Sequence, residues 1–325
     1  MADAILDVRE ISVDYLTRGR PAKAVDHVSL ELGPGEFLGI VGESGCGKST
    51  LLFAIAQLLS PPAQITGGEV IFNGTNMVQL GEKALRAIRW RDYSVVMQSA
   101  MNALNPVKTI GAQYSDAMRA HQKISKAGIL ERSREVFSLV GIDPVHLRSF
   151  PHQLSGGMRQ RAMIAMALLF SPDLIVMDEP TSALDVVAQR ALMVQIKELQ
   201  RELGFAIIFV THDMSLVSHF SDRLAVMYAG RLAELGPTQE VFARPMHPYT
   251  VGLFDAFPSV YGPKVYIGGI PGAPPDLAGL PGGCSFAPRC PRAMAACTDR
   301  EPEFYQVADR RVRCFLHGPE GGGDD

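Results

Sequence analysis

The chain has 325 residues, 47% of them hydrophobic, and 31 basic residues stand against 34 acidic ones for a formal net charge of −3. That length suits one large domain with an appendage, and the near-balanced charge excludes the basic surface of a polyanion binder, so no nucleic-acid partner is expected. No apolar stretch approaches the roughly 18 residues that cross a bilayer, and residues 1–7 carry acids where a signal peptide would be basic, so the protein is expected in the cytosol.

Residues 5–40 and 67–73 alternate apolar and polar positions at period two, which predicts an antiparallel β-subdomain punctuated by turns at Gly67-Gly68 and Asn73-Gly74. Tyr15 falls within this region, and taken alone it is a strand aromatic. The run Phe37-Leu38-Gly39-Ile40-Val41 then predicts a buried strand, and Leu51 to Ala56 predicts a helix. Between them residues 42–50 read Gly-Glu-Ser-Gly-Cys-Gly-Lys-Ser-Thr, which fits G-x-x-x-x-G-K-[ST] without a mismatch. The pattern arises by accident in on the order of one chain in a hundred of this length, and the strand-to-helix setting removes most of that ambiguity. Gly42, Gly45 and Gly47 let the loop amides, including those of Ser44 and Cys46, turn toward a polyphosphate, and the helix start at Ser49 and Thr50 adds partial positive charge. Lys48 is expected to reach the β- and γ-phosphates and the Ser49 hydroxyl to ligate Mg²⁺. The bland alternative is a glycine turn with an incidental lysine.

Gln98 follows, by itself an ordinary strand-end residue. Residues 99–165 have helical periodicity and enclose Leu154-Ser155-Gly156-Gly157-Met158-Arg159-Gln160-Arg161. Leu174-Ile175-Val176-Met177-Asp178-Glu179 has the form of a buried parallel strand ending in two carboxylates. Asp178 is placed to hold Mg²⁺ through its water shell, and Glu179 to polarise the attacking water. A helix near 187–203, a strand at 206–210 and a β element at 224–230 continue the alternation of a parallel α/β sheet. His212, after the strand at 206–210, is taken alone a capping or surface histidine.

Beyond about residue 243 the texture changes, with ten prolines between 245 and 291 and four of the five cysteines: Cys284, Cys290, Cys297 and Cys314. The fifth, Cys46, lies in the phosphate loop. Cytosolic thiols stay reduced, so metal ligation is a better expectation than disulfides. The spacing C-x5-C-x6-C-x16-C matches neither the usual zinc pairs nor the ferredoxin run, and it leaves zinc, iron–sulfur and unligated thiols open.

Residues 154–161 resemble the signature motif of the ATP-binding-cassette (ABC) ATPases, with Met158 where the usual glutamine stands. The resemblance implies a phosphate-loop cassette with a RecA-like core, an antiparallel β-subdomain and a helical signature subdomain over about 99–165. It implies that Tyr15 stacks on adenine, that Gln98 senses the γ-phosphate and Mg²⁺ and contacts the membrane partner, and that residues 101–106 lie at that contact. Ser155, Gly156 and Gly157 would touch the nucleotide of a facing cassette, Ser182-Ala183-Leu184-Asp185 would contact the dimer partner, and His212 would bond the γ-phosphate. His247-Pro248-Tyr249-Thr250, Ile270-Pro271-Gly272 and the cysteine-rich tail resemble the extension of oligopeptide and dipeptide importer ATPases. That resemblance implies a four-iron four-sulfur cluster on Cys284, Cys290, Cys297 and Cys314, with zinc second. The expected organisation is thus an α/β nucleotide-binding domain at 1–243 and a loop-rich, metal-binding extension at 244–325.

The implied role is ATP hydrolysis at the cytoplasmic face of the membrane, energising a binding-protein-dependent importer of di- or oligopeptides. Its partners would be a second, similar ATPase chain in a heterodimer, two permease subunits and an extracytoplasmic binding protein. Importers of nickel, glycosides or oligosaccharides use the same group of ATPases. A soluble cassette acting on DNA or ribosomes usually has coiled-coil insertions or two cassettes, and neither is visible here. Intact Lys48, Asp178, Glu179 and His212 oppose a degenerate regulatory cassette.

Overall fold

The computed structural model describes residues 4–17, 19–98, 103–182, 184–256 and 269–319; Met101, Asn102 and Ala183 lie outside them. Along the chain come β1 (Leu6–Tyr15), β2 (Ala22–Leu32), β3 (Phe37–Val41), α1 (Lys48–Ile55), β4 (Ala63–Phe72), β5 (Thr75–Asn76), α2 (Glu82–Ile88) and β6 (Tyr93–Val96). Then follow α3 (Ile110–His121), α4 (Lys126–Leu139), α5 (Gly156–Ala167), β7 (Leu174–Asp178), α6 (Val186–Leu203), β8 (Ala206–Val210) and α7 (Met214–Phe220). The last elements are β9 (Arg223–Tyr228), β10 (Arg231–Pro237), α8 (Thr238–Ala243), α9 (Pro248–Asp255), α10 (Ala295–Asp299), β11 (Tyr305–Val307) and β12 (Arg310–Val312). They form two compact units, one built from residues 1–5, 32–36 and 79–209, the other from 6–31, 37–78 and 210–325.

In the first unit β8, β7 and β6 lie side by side, with β6 and β7 parallel from Tyr93 opposite Leu174 to Val96 opposite Met177. Every residue of β7 and β8 is buried, as expected of parallel strands covered on both faces. The region expected to be helical carries α3, α4 and α5, whose first turns are capped by the side chains of Thr109, Ser125 and Ser155. Tyr114 ties them together: its ring meets the edge of Phe137 at 5.5 Å and its hydroxyl donates to the Ala162 carbonyl. Helix α6 buries Leu192, Met193, Ile196 and Leu199 along one stripe and stops at Gly204 in left-handed conformation.

In the second unit, β2, β1, β4 and β5 make an antiparallel sheet, as the period-two alternation predicts. A second sheet runs β11-β12-β10-β9-β3, with β3 parallel to β9 and β10 antiparallel to β9 across the turn at Ala229-Gly230. The segment after residue 243, expected as a loop-rich appendage, extends this sheet, because Glu234 and Leu235 of β10 pair with Val312 and Arg311 of β12. Strands of three residues carry too little periodicity to be seen in the sequence. Helix α9 also belongs to this segment, with Pro248 in its first turn and His247 capping it.

Candidate functional site

The phosphate loop joins the wholly buried strand β3 to α1 in the second unit. Two of its glycines answer to close packing. Gly42 has φ 151° and a Cβ there would lie 2.2 Å from the Met227 carbonyl oxygen; Gly47 has φ 103° and a Cβ there would lie 2.1 Å from that of Ala24. No side chain larger than hydrogen fits either place. The loop is anchored to the β9–β10 turn by Gly230 N–H donating to the Cys46 carbonyl at 3.0 Å. Lys48 is 8% exposed, and its ammonium donates to the carbonyls of Gly42 and Glu43, each at 2.8 Å. Burial pushes the Cys46 thiol up even with Lys48 beside it, so it stays protonated and takes no part as a thiolate.

Two further expected residues lie in this unit. Tyr15 ends β1, and its hydroxyl lies 3.2 Å from Thr50 Oγ1 on the first turn of α1. His212 is exposed just past β8, where Thr211 N–H reaches back to the Ile40 carbonyl of β3 at 3.4 Å. Both therefore flank the strand and helix that carry the phosphate loop.

The first unit gathers the acidic residues. Asp178 is 4% exposed at the tip of β7. Glu179 turns away with a φ of 45°, a left-handed conformation held by its surroundings. Gln98 Nε2 donates to Glu179 Oε2 at 2.6 Å, so residues far apart in sequence meet at this strand end. Ser155 is exposed at the N-cap of α5, its hydroxyl accepting from Met158 N–H at 3.2 Å, and Gly156 and Gly157 form the first turn. Asp185 caps α6 by accepting from Ala188 N–H at 2.9 Å. Gln160, two positions after Met158, points inward and donates to the Pro180 carbonyl. It links the signature helix to the residue after Glu179, a role sequence reading did not assign.

Sequence reading also missed Tyr249 and Arg289, which both bond Glu43 inside the phosphate loop. The available signal was the carboxylate itself, since an acid in a phosphate-binding loop calls for a cationic partner.

Among the described residues no three His, Cys, Asp or Glu side chains are grouped so as to hold one metal ion. The chemistry of the donors does suit a sulfur-ligated group. All four tail cysteines are free, and Cys284 N–H bonds the Cys297 carbonyl at 2.8 Å. Arg292 N–H points at Cys290 Sγ and Met294 N–H at Cys297 Sγ, at 3.4 and 3.5 Å. Backbone amides of Phe286 and Leu316 serve Cys284 and Cys314 likewise. Burial, with the neighbouring cysteines adding, pushes Cys284 up to about 12 and Cys314 to about 11. These thiols are protonated near neutral pH, and any metal must displace their protons.

Residues 25–182 match the ABC transporter family, and residues 233–297 match the oligopeptide/dipeptide transporter C-terminal region. The dipeptide transport ATP-binding protein DppD of Bacillus subtilis is 44% identical over 97% of this chain and 95% of its own length. The oligopeptide transport ATP-binding protein OppD of Escherichia coli is 42% identical over 97% of this chain and 94% of its own. Among solved structures, the ADP- and Pi-bound dimer of the ATP-binding cassette MJ0796 superposes with a TM-score of 0.64 at 28% identity, covering 72% of this chain and 98% of that one. With its phosphate loop, its signature helix and relatives matched over nearly their whole length, this chain belongs to the ATP-binding subunits of the oligopeptide/dipeptide family of ABC transporters.

Proposed function

We infer that this chain is the ATP-hydrolysing subunit of a peptide importer. The observation that carries the reading is the phosphate loop, whose Gly42 and Gly47 are fixed by packing and whose Lys48 donates to the loop carbonyls in readiness to exchange them for phosphate oxygens. Relatives named for dipeptide and oligopeptide transport, matched over nearly their whole length, support peptide cargo over nickel or sugars. The test is ATP hydrolysis by the assembled transporter with peptide-loaded binding protein: peptide should stimulate it, and Lys48→Ala should remove most nucleotide affinity. A transporter stimulated by nickel or oligosaccharide but not by peptide would overturn the cargo assignment.

In this reading the amides of residues 44–50 and Lys48 hold the triphosphate, and Tyr15 stacks on adenine. Ser49, Gln98 and Asp178 offer hard oxygen donors that suit Mg²⁺, which neutralises charge on the phosphates when bound. Glu179 accepts a proton from the attacking water, Gln98 orients that carboxylate, and His212 donates to the γ-phosphate. Ser155, Gly156 and Gly157 serve the nucleotide of a facing cassette, with Asp185 at the contact. The exposed apolar pair Val186 and Val187, 77% and 79% accessible, supports a covered surface there. MJ0796 was solved as a dimer, which supports pairing with a second ATPase chain; the pair in this reading is head to tail, with a similar second chain. No helix among the described residues is long and apolar enough to cross a membrane. In this reading two permease chains and an extracytoplasmic binding protein complete the importer, with this subunit on its cytoplasmic face.

The division at residue 243 gives a nucleotide-binding domain and an extension whose cysteines carry a four-iron four-sulfur cluster. Four thiol donors and the amides aimed at their sulfurs support it. Close to four irons per chain in anaerobically purified protein is the expected result; stoichiometric zinc without iron would favour the alternative.

A further inference from the structure

Glu43, five positions before Lys48, places a carboxylate inside the phosphate loop, and each of its polar groups is engaged. Its N–H donates to Tyr249 Oη at 2.8 Å, and its carbonyl accepts from Lys48 Nζ at 2.8 Å and from Cys46 N–H at 3.3 Å. Its carboxylate takes a two-pronged ion pair from Arg289, Nη1 to Oε2 at 2.7 Å and Nη2 to Oε1 at 2.9 Å. Arg289 and Tyr249 both belong to the C-terminal segment.

Arg289 is fixed from behind. Nε donates to the Pro271 carbonyl at 2.8 Å, and the two Nη atoms also approach the carbonyls of Ile270 and Gly272 and the Tyr228 hydroxyl. Its side chain is only 6% exposed against 25% for Glu43. It immediately precedes Cys290, and Phe286 of the same turn packs against Tyr228 at 5.2 Å and Tyr249 at 5.5 Å. The guanidinium can hold this pose only while the cysteine-bearing tail is folded against the loop.

A free carboxylate here carries the same sign as an incoming triphosphate. At an effective dielectric near 20 and a separation of roughly 8 Å, one such charge is enough to weaken binding by tenfold or more. We propose that Arg289 is a positioning residue for nucleotide binding: it neutralises Glu43, so that the folded tail is a condition for high affinity toward polyphosphates. This rests on the ATPase reading and adds to it a control of the site by the extension. A plain structural pair, holding the tail in place, would affect stability without distinguishing nucleotides by charge.

The test compares equilibrium binding of ATP, ADP and AMP to the full-length protein, well below its melting temperature, for wild type, Arg289→Ala, Arg289→Ala with Glu43→Gln, and Glu43→Gln alone. Arg289→Ala is expected to weaken ATP by roughly tenfold, ADP less and AMP least, with the gap narrowing in high salt. Adding Glu43→Gln should restore most ATP affinity, and Glu43→Gln alone should bind ATP at least as tightly as wild type because Arg289 then faces the phosphates uncompensated. Equal losses for ATP and AMP, or a lowered melting temperature with unchanged ATP affinity, would overturn the proposal. If Arg289→Ala does not fold, Glu43→Gln alone decides, since weaker ATP binding there contradicts charge masking. Wild-type protein that binds no ATP, with Lys48→Ala indistinguishable from it, would instead sink the ATPase reading.

Discussion

At the scale of single residues, the proposed role of Glu179 as base is open to direct test. It follows the buried Asp178 in sequence, and its carboxylate accepts from Gln98 Nε2 at 2.6 Å. Glu179→Gln keeps the shape and removes the base, so ATP binding should persist while turnover falls by about 10²- to 10⁴-fold. Gln98→Ala leaves the carboxylate without this donor and should cost less, lowering kcat more than it raises KM. Single-turnover hydrolysis with matched binding isotherms separates the two effects, and wild-type turnover in Glu179→Gln would remove Glu179 from the role of base. The nine residues from Gly42 to Thr50 were legible in the sequence because their chemistry is local. Gln160 and Arg289 were not, since one acts across a fold contact to Pro180 and the other on a residue 246 positions away.

At the scale of elements, β7, β8 and α6 were readable because continuous apolar runs and a helical stripe are strong signals. The tail was not, since its short strands acquire meaning only by pairing with β10. Helix α9 shows how it is held. His247 is 4% exposed, its Nδ1 accepts from Tyr249 N–H at 2.9 Å, and burial lowers its pKa to about 3. The folded form therefore binds this proton far less readily than the unfolded chain, whose histidines titrate near 6.5. Stability from this group is fully present above about 6.5 and is lost as pH falls toward 3, with a limiting slope of about 1.4 kcal/mol per pH unit. Burial raises the pKa of Glu234, whose carboxylate accepts from the backbone N–H groups of His247 and Met246, so it acts in the opposite sense just above the ordinary carboxylate range. His247→Asn retains a capping acceptor without the titration. Chemical denaturation between pH 7 and 5 should show a shallower acid loss in this variant than in wild type; identical slopes would place the acid sensitivity elsewhere.

The cysteines belong to the same scale. Were the tail and the ATP site independent, Cys290→Ser would leave nucleotide binding largely intact. The Arg289–Glu43 pair predicts otherwise. Disturbing Cys290 displaces its neighbour Arg289, so Cys290→Ser should weaken ATP binding in the same direction as Arg289→Ala and by a smaller factor. It should also open the tail to protease. Increased cleavage beyond Pro271 with unchanged ATP affinity would show that tail order and loop charge are uncoupled.

At the scale of the whole molecule, the signature helix α5 presents Ser155, Gly156 and Gly157 at an exposed N-terminus while Gln160 is turned inward. A helix start with open amides suits the phosphates of a nucleotide held by another subunit. Ser155→Arg should therefore leave ATP binding to this chain's own phosphate loop unchanged and block hydrolysis at the facing site by obstructing the interface. The substitution also removes the N-cap bond to Met158 N–H, worth about 1 kcal/mol, so Ser155→Ala, which loses the same hydroxyl without adding bulk, separates obstruction of the interface from loss of that group. In protein carrying Glu179→Gln, ATP should drive formation of a stable closed pair, seen as a doubling of mass by light scattering, and Ser155→Arg should abolish it while Ser155→Ala weakens it. When the second ATPase chain is supplied, the loss of turnover should appear at the partner's nucleotide, which single-site hydrolysis mutants of the partner can separate. Full-rate hydrolysis by an isolated monomer carrying Ser155→Arg would show that one cassette completes its own site, and the head-to-tail arrangement would have to be abandoned.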